Sequence, residues 1–270
     1  MTLNLRDRGI SRSLYYQGER EKAFMSLLER TVRPGMVCLD IGANIGYTTL
    51  FMLRGAGDSG FVYAAEPDPH NLELLRTNVA ANGFRERCEI TPCAISGRTG
   101  EIDFWLAGRP NVSSVDKTAE SVRKIRVQAY DLGTFLAGRK FPGLIKMDVE
   151  GHEVKVFEGG LDYFASHTGP VSLLVEVHPA YYGESNDFAR VLREYFRLKF
   201  NTRYVISTPF ARPRLFAEAG YSPKETVYTD GFHRGIYDDI SNEDLVRFAC
   251  REHHQDGYNK IVRAFMLSRD

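Results

Sequence analysis

Among the four cysteines, Cys38, Cys88, Cys93 and Cys250, no C-x-x-C pair occurs, which leaves reduced structural thiols as the expectation. Neither sign of charge is in excess. Basic and acidic residues number 35 each, so the chain lacks the basic field that drives nucleic-acid binding, and no nucleic acid is expected as a partner. The opening stretch MTLNLRDRGISRS is polar and holds no apolar run followed by a cleavage site, and no later window approaches a membrane span. A soluble, cytoplasmic protein is the expectation. Internal repeats and low-complexity tracts are missing as well. What the chain has is 43% hydrophobic content over 270 residues, enough for one substantial core and short for two independent domains.

The most informative stretch is VCLDIGANIGYTTL, residues 37 to 50, which reads as a buried strand, a glycine turn and a helix start. Val37, Leu39 and Ile41 alternate with smaller or polar residues; Gly42 and Gly46 then free the backbone to bend and approach a ligand closely. The glycines follow D-x-G-x-N-x-G rather than the G-x-G-x-x-G that seats a pyrophosphate on a helix N-terminus. Asn44 takes the space a pyrophosphate needs, and Asp40 repels phosphate while attracting an ammonium group. S-adenosylmethionine, which has no phosphate, is therefore favoured over a dinucleotide. Twenty residues past Gly46, the strand FVYAA ends in Glu66, where a carboxylate accepts both hydrogens of a ribose diol.

Strands and helices alternate as a doubly wound sheet requires. A first amphipathic helix is predicted from Arg20 to Thr31, and a second runs from an Asp68 cap to the Asn82-Gly83 stop. A third strand is expected over Cys88–Ile95, then a hairpin-like excursion through EIDFWL and KIRVQAY at the cofactor edge. GLIKMDVEG and VSLLVEVHP supply the fourth and fifth core strands, and RYVIS and KIVRAFML the last two, seven strands in all. The expected organisation is a single domain: residues 1–32 as an N-terminal approach segment, 33–207 as the cofactor-binding and catalytic core, 208–259 as a substrate lid and 260–267 as the last strand.

Two strand ends bring chemistry to one edge. Parallel strands bind ligands at their C-terminal ends, where Asp148, Glu150, His152 and Glu153 crowd after the fourth strand. Glu153 also suits a helix start, where an acid complements the dipole. On the fifth strand Glu176 and His178 are two apart and point the same way, next to the strand carrying Asp148. Such a group can supply a general base, His178, or hold a divalent metal through Asp148 with Glu176 or Glu150. Carboxylate ligands suit magnesium or manganese rather than zinc.

The segments GMVCLDIGANIGYTTL, AAEPDPHNLELLRTNVAANG, AISGRTGEIDFW, AYDLGTFL, LIKMDVEGHEVKVFEGG and LLVEVHP resemble the successive motifs of the FkbM family of S-adenosylmethionine-dependent methyltransferases. The resemblance runs from about Arg33 to Pro179, with KMDVEGHE its most specific piece, and DRGISRSLYYQGERE is similar to the family's approach segment. It implies a class I methyltransferase fold, Rossmann-like with three α/β/α layers. It also implies O-methylation of a hydroxyl on a sugar, glycolipid, polyketide or similar product, so the partner is a small-molecule or glycan acceptor. By the same resemblance Asp40, Gly42, Asn44, Gly46, Glu66 and the Ala94–Ile95 region contact the cofactor. His152 is a candidate acceptor contact.

The segment from Thr208 to Asn259 is too long for an ordinary connection, and long connections are commonly lids or binding loops. Phe210, Tyr221, Tyr228, Phe232 and Tyr237 can stack on a ring face, while Arg212, Arg214, His233 and Arg234 can bind hydroxyl or anionic groups. As a lid, Phe232, His233 and Arg234 are expected over the cofactor methyl. Two other readings stay open: a noncatalytic S-adenosylmethionine-binding protein, and a dinucleotide-dependent oxidoreductase, which the glycine pattern disfavours.

Overall fold

The computed structural model describes the chain apart from Arg6, Arg8 and residues 108–112, 118–120, 180–181, 183–187, 209–212 and 251–260. Two helices open it, α1 (Ile10–Gln17) and α2 (Lys22–Thr31), separated where Gly18 and Glu21 take φ of 74° and 53°. Next come β1 (Val37–Ile41), α3 (Tyr47–Ala56), β2 (Phe61–Ala65) and α4 (Pro69–Ala81). Asp68 caps α4 by accepting the His70 N–H, with Pro69 in the first turn where its missing N–H costs nothing.

The expected third strand is split. β3 (Cys88–Thr91) joins the main sheet, but Pro92 has no N–H to give a ladder, and the chain turns so that β4 (Ala94–Ile95) leaves for a second sheet. That sheet is completed by the hairpin of β5 (Gly100–Ala107) and β6 (Ser121–Tyr130), in the order β4-β6-β5.

The remaining elements are α5 (Leu132–Leu136), β7 (Leu144–Met147), α6 (Glu153–Ser166), β8 (Val171–Glu176), α7 (Phe188–Arg197), β9 (Asn201–Ser207), α8 (Pro213–Glu218), β10 (Glu225–Thr229), β11 (Phe232–Tyr237), α9 (Asn242–Ala249) and β12 (Val262–Arg269). The main sheet has nine strands in the order β10-β11-β9-β12-β8-β7-β1-β2-β3, parallel from β8 to β3 and antiparallel from β12 outward. Seven strands were expected from the sequence; the extra two, β10 and β11, lie inside the segment read as a lid. Asp230 and Gly231 between them both take positive φ, 53° and 83°, the requirement of a two-residue type I′ hairpin turn.

Side-chain alternation divides the core into two layers. Leu39, Ile41, Ile145, Met147, Leu173 and Val175 face α6, α7 and α9, while Cys38, Val62, Ala64, Leu144 and Leu174 face α2, α3 and α4. Both faces of the parallel strands are thus covered, as such sheets require. Among the described residues no helix is long and apolar enough to cross a membrane.

Candidate active site

Asp40 and Lys146 are register partners on β1 and β7, and both side chains are buried. Their charges meet at 3.1 Å, and the second Asp40 oxygen accepts the hydroxyls of Thr48 at 2.8 Å and Thr49 at 2.6 Å, fastening α3. Burial opposes the Lys146 charge, but Asp40 and Asp148 outweigh it and raise its pKa. Lys146 also donates to the Gly42 carbonyl at 2.8 Å, tying the glycine turn to β7. Asp40 therefore acts from beneath the turn. The sequence reading placed it in contact with the cofactor; the structure instead commits it to Lys146 and α3, so its neutralised charge no longer argues for or against a phosphate.

The turn's glycines are set by the protein's own packing. A Cβ on Gly42, whose φ is +73°, would lie 2.0 Å from the Asp148 carbonyl oxygen, and one on Gly46, φ +90°, would meet Leu75 at 2.8 Å. Asn44, φ 50°, points its N–H at Glu66 Oε2 at 2.7 Å, and Asp68 N–H reaches Oε1 at 2.8 Å. Burial pushes the Glu66 carboxyl up to about 7 despite these bonds. Above it opens a cleft of about 560 Å³ lined by Gly42, Asn44, Glu66, Ala94, Ile95, Asp148 and Glu150, with Asn71 and Phe104 on its walls. His152 borders the same cleft, 6% exposed, with Nε2 bonded to Ser96 Oγ at 2.8 Å and Nδ1 to Asp116 at 3.0 Å. Both nitrogens being committed, His152 is part of this wall rather than a free acceptor contact.

At the ends of β7 and β8 four carboxylates surround one imidazole. His178 Nδ1 lies 2.7 Å from Glu153; Nε2 lies 3.3 Å from Glu150, 3.3 Å from Glu176 and 4.0 Å from Asp148. Burial alone would lower the imidazole pKa, but Glu153, Glu150 and Glu176 raise it well above the usual value. His178 Nδ1 is thus committed to Glu153, so a general base or a cation ligand at this residue would have to act through Nε2. Burial pushes Glu150 up to about 8 and raises Asp148, where the nearby Glu176 adds to the effect. Glu153 moves the other way: burial would raise it, and His178 with the Gly151 N–H lowers it. Glu150 holds φ 50°, its carbonyl fixed by the Ser114 hydroxyl at 2.9 Å.

A second cavity of about 510 Å³ meets the first at Gly42, Asn44, Asp148 and Glu150, and is otherwise bordered by Arg20, Glu21, Phe24, Tyr47 and Glu176. A third, about 220 Å³, continues from Glu21 and Glu176 to Thr229, Arg234 and Arg263. Arg263 bridges Glu176 and Glu21. Arg234 has no ion-pair partner among the described residues, and burial together with Arg263 lowers its pKa. His233, on the opposite face of β11, is exposed and packs on the Tyr228 ring. The segment expected as a lid is thus a sheet-edge hairpin that latches the N-terminal segment: Thr229 accepts the Lys22 N–H at 2.9 Å and Asp230 the Glu21 N–H at 3.3 Å. Its Arg234 face borders the third cavity. Phe210, Arg212 and the side chain of Arg214 lie outside the described residues.

Lys146, Arg20, Glu21 and Arg263 were not singled out in the sequence. Lys146 had a signal, a lone cation in a buried strand; the others depend on contacts distant in the chain. Glu153, read as a helix start, fills that place and also holds His178.

A family model for the methyltransferase FkbM domain matches residues 40–204. The tRNA wybutosine-synthesizing protein 2 homolog of Mus musculus is 46% identical over 56 residues, 21% of this chain and 12% of that protein. The catechol O-methyltransferase of Mycobacterium tuberculosis is 34% identical over 67 residues, 25% of this chain and 30% of that protein. The chain thus spans only a minor part of these relatives' length. A crystal structure of methyltransferase FkbM from Methylobacillus flagellatus aligns with 71% of this chain and 48% of its own, at 16% identity and a TM-score of 0.42.

Proposed function

The chain belongs to the FkbM-domain methyltransferase family, and from that premise we propose that it transfers the methyl group of S-adenosylmethionine to a hydroxyl oxygen of a small-molecule or glycan acceptor. The observation that carries the reading is the meeting of two cavities at Asp148 and Glu150: one runs past the glycine turn and Glu66, the other toward a chamber lined by charged side chains.

In this reading the adenosine lies in the first cleft, its ribose diol donating to Glu66 and its base between Ala94, Ile95 and Phe104. Asp148 and Glu150, shared by the two cavities, would then stand between cofactor and acceptor. When bound, S-adenosylmethionine would supply an activated methyl carbon to the acceptor oxygen, the C–S bond breaking as the C–O bond forms and S-adenosylhomocysteine leaving with the sulfur's electron pair. The hydroxyl proton must leave, and Glu150, which borders both cavities, is the group placed to take it in its ionised form, which predominates above about pH 8. Because the methyl is already activated, the protein's work is alignment, exclusion of water and removal of that proton.

Calorimetry tests the cofactor. S-adenosylmethionine and S-adenosylhomocysteine are expected to bind and NAD is not, with Glu66→Ala weakening binding by about tenfold or more, the loss of charge-assisted hydrogen bonds. Absence of cofactor binding, or an unchanged affinity in the variant, overturns the assignment.

A further inference from the structure

Deepening the hydroxyl-methylation reading, and resting on it for its chemical purpose, we propose that Asp148, Glu176 and His178 form a binding site for one divalent cation, magnesium or manganese, at the junction of the two cavities. One oxygen from each carboxylate and one imidazole nitrogen lie within 4.8 Å of one another, close enough for a single ion to touch all three. The three come from the C-terminal ends of two adjacent parallel strands, in register through Met147 and Val175, so the backbone holds their spacing.

Two further observations point to a ligand there. Asp148 Oδ1 is buried and has no hydrogen-bond partner among the described residues, an arrangement that is costly unless something cationic completes it. The imidazole, moreover, is oriented from behind. Glu153 takes Nδ1 at 2.7 Å and is itself held by the Tyr182 hydroxyl at 2.9 Å and the Gly151 N–H at 3.0 Å. A carboxylate fixed on one ring nitrogen, with the other nitrogen aimed at acidic groups, is how metal-ligating histidines are positioned.

The charges around Nε2 fit as well. Arg263 pairs with Glu176 and Lys146 with Asp40, while Asp148 and Glu150 face the junction with His178 as the cation within 4.0 Å among the described residues. Two carboxylates and one imidazole suit a hard ion that retains open positions, rather than a closed structural zinc site. Those open positions face the second cavity, where a bound hydroxyl would lose its proton more readily on the ion. Glu150 stays free to receive it.

Binding of Mn²⁺ to the chelator-treated full chain, followed by electron paramagnetic resonance and calorimetry at about pH 8, where the ligands compete least with protons, tests the site without methyl transfer. One Mn²⁺ per chain is expected, weakened about tenfold or more by Asp148→Asn and by Glu176→Gln and unchanged by Glu66→Ala. Circular dichroism and thermal melting of each variant report whether it has folded, and excess Mg²⁺ displacing Mn²⁺ in the wild type supports the site without any variant. No Mn²⁺ bound at millimolar concentration, or equal binding in folded variants, overturns the proposal. If cofactor binds and methyl transfer proceeds undiminished in chelator, the cation site falls while the methyltransferase reading stands; if Mn²⁺ binds but no cofactor does, the reverse holds.

Discussion

Glu66 carries two obligations at once: it holds the glycine turn through two backbone N–H groups and faces the cleft with what remains of its carboxylate. Because burial pushes it up to about 7, the free protein below that pH carries the neutral acid. A ribose diol donates two hydrogens and needs the anion, so cofactor binding should strengthen as pH rises through about 7 and level off above it. Each unit below costs about 1.4 kcal/mol. Calorimetry near pH 6 in buffers of differing ionisation enthalpy should report release of a proton on binding, and Glu66→Gln should flatten the profile; a pH-independent affinity in the wild type contradicts this. Gly42 gives a prediction of another kind. Alanine there meets the Asp148 carbonyl and a left-handed backbone together, so Gly42→Ala should cost roughly 3 kcal/mol or more in denaturant unfolding. A near-neutral result would mean that the two strand ends move apart easily. At this scale the convergence of Asp148, Glu176 and His178 was legible, because strand period and parallel order alone bring them together. Lys146 and Arg263 were harder to find, since their places depend on register and on a strand from the far end of the chain.

Among the elements, the strands that read clearly were the buried apolar runs, β1, β2, β7 and β8. Pro92 broke the third for a reason visible in the sequence, a missing N–H. Within the segment expected as a lid, the hairpin of β10 and β11 went unread because its residues were taken by their chemistry and not by their period. TVYTDGFHRGIY alternates around Asp-Gly, the strongest short hairpin signal. Alternation also separates two residues that the lid treated alike. Arg234 faces the third cavity and His233 faces away, so Arg234→Ala should raise the acceptor KM about tenfold while sparing cofactor binding, and His233→Ala should leave both unchanged. Equal effects of the two in steady-state kinetics would show that the hairpin does not present a single face to the acceptor.

For the molecule as a whole, the balance of 35 basic against 35 acidic residues bears on the acceptor. A wybutosine-synthesizing relative shares a 56-residue stretch with this chain, yet a phosphate backbone demands a basic field. At physiological salt, bulk tRNA should bind no tighter than about 10 µM, within the range of nonspecific contact, and should gain no methyl label. Submicromolar binding in a filter assay would transfer the acceptor to nucleic acid.

β12 is the last strand in sequence but lies inside the sheet, between β8 and β9, and it brings Arg263 against Glu176. During synthesis, therefore, the parallel half can form while its neighbour β9 waits beside an empty lane, with unpaired edges exposed on both sides until β12 has left the ribosome. Such long-range closure is slow and open to wrong pairing. The half proposed to seat the cofactor precedes β12, so cofactor bound to the nascent chain would be positioned to protect the partly built sheet before the chamber that Arg263 borders exists.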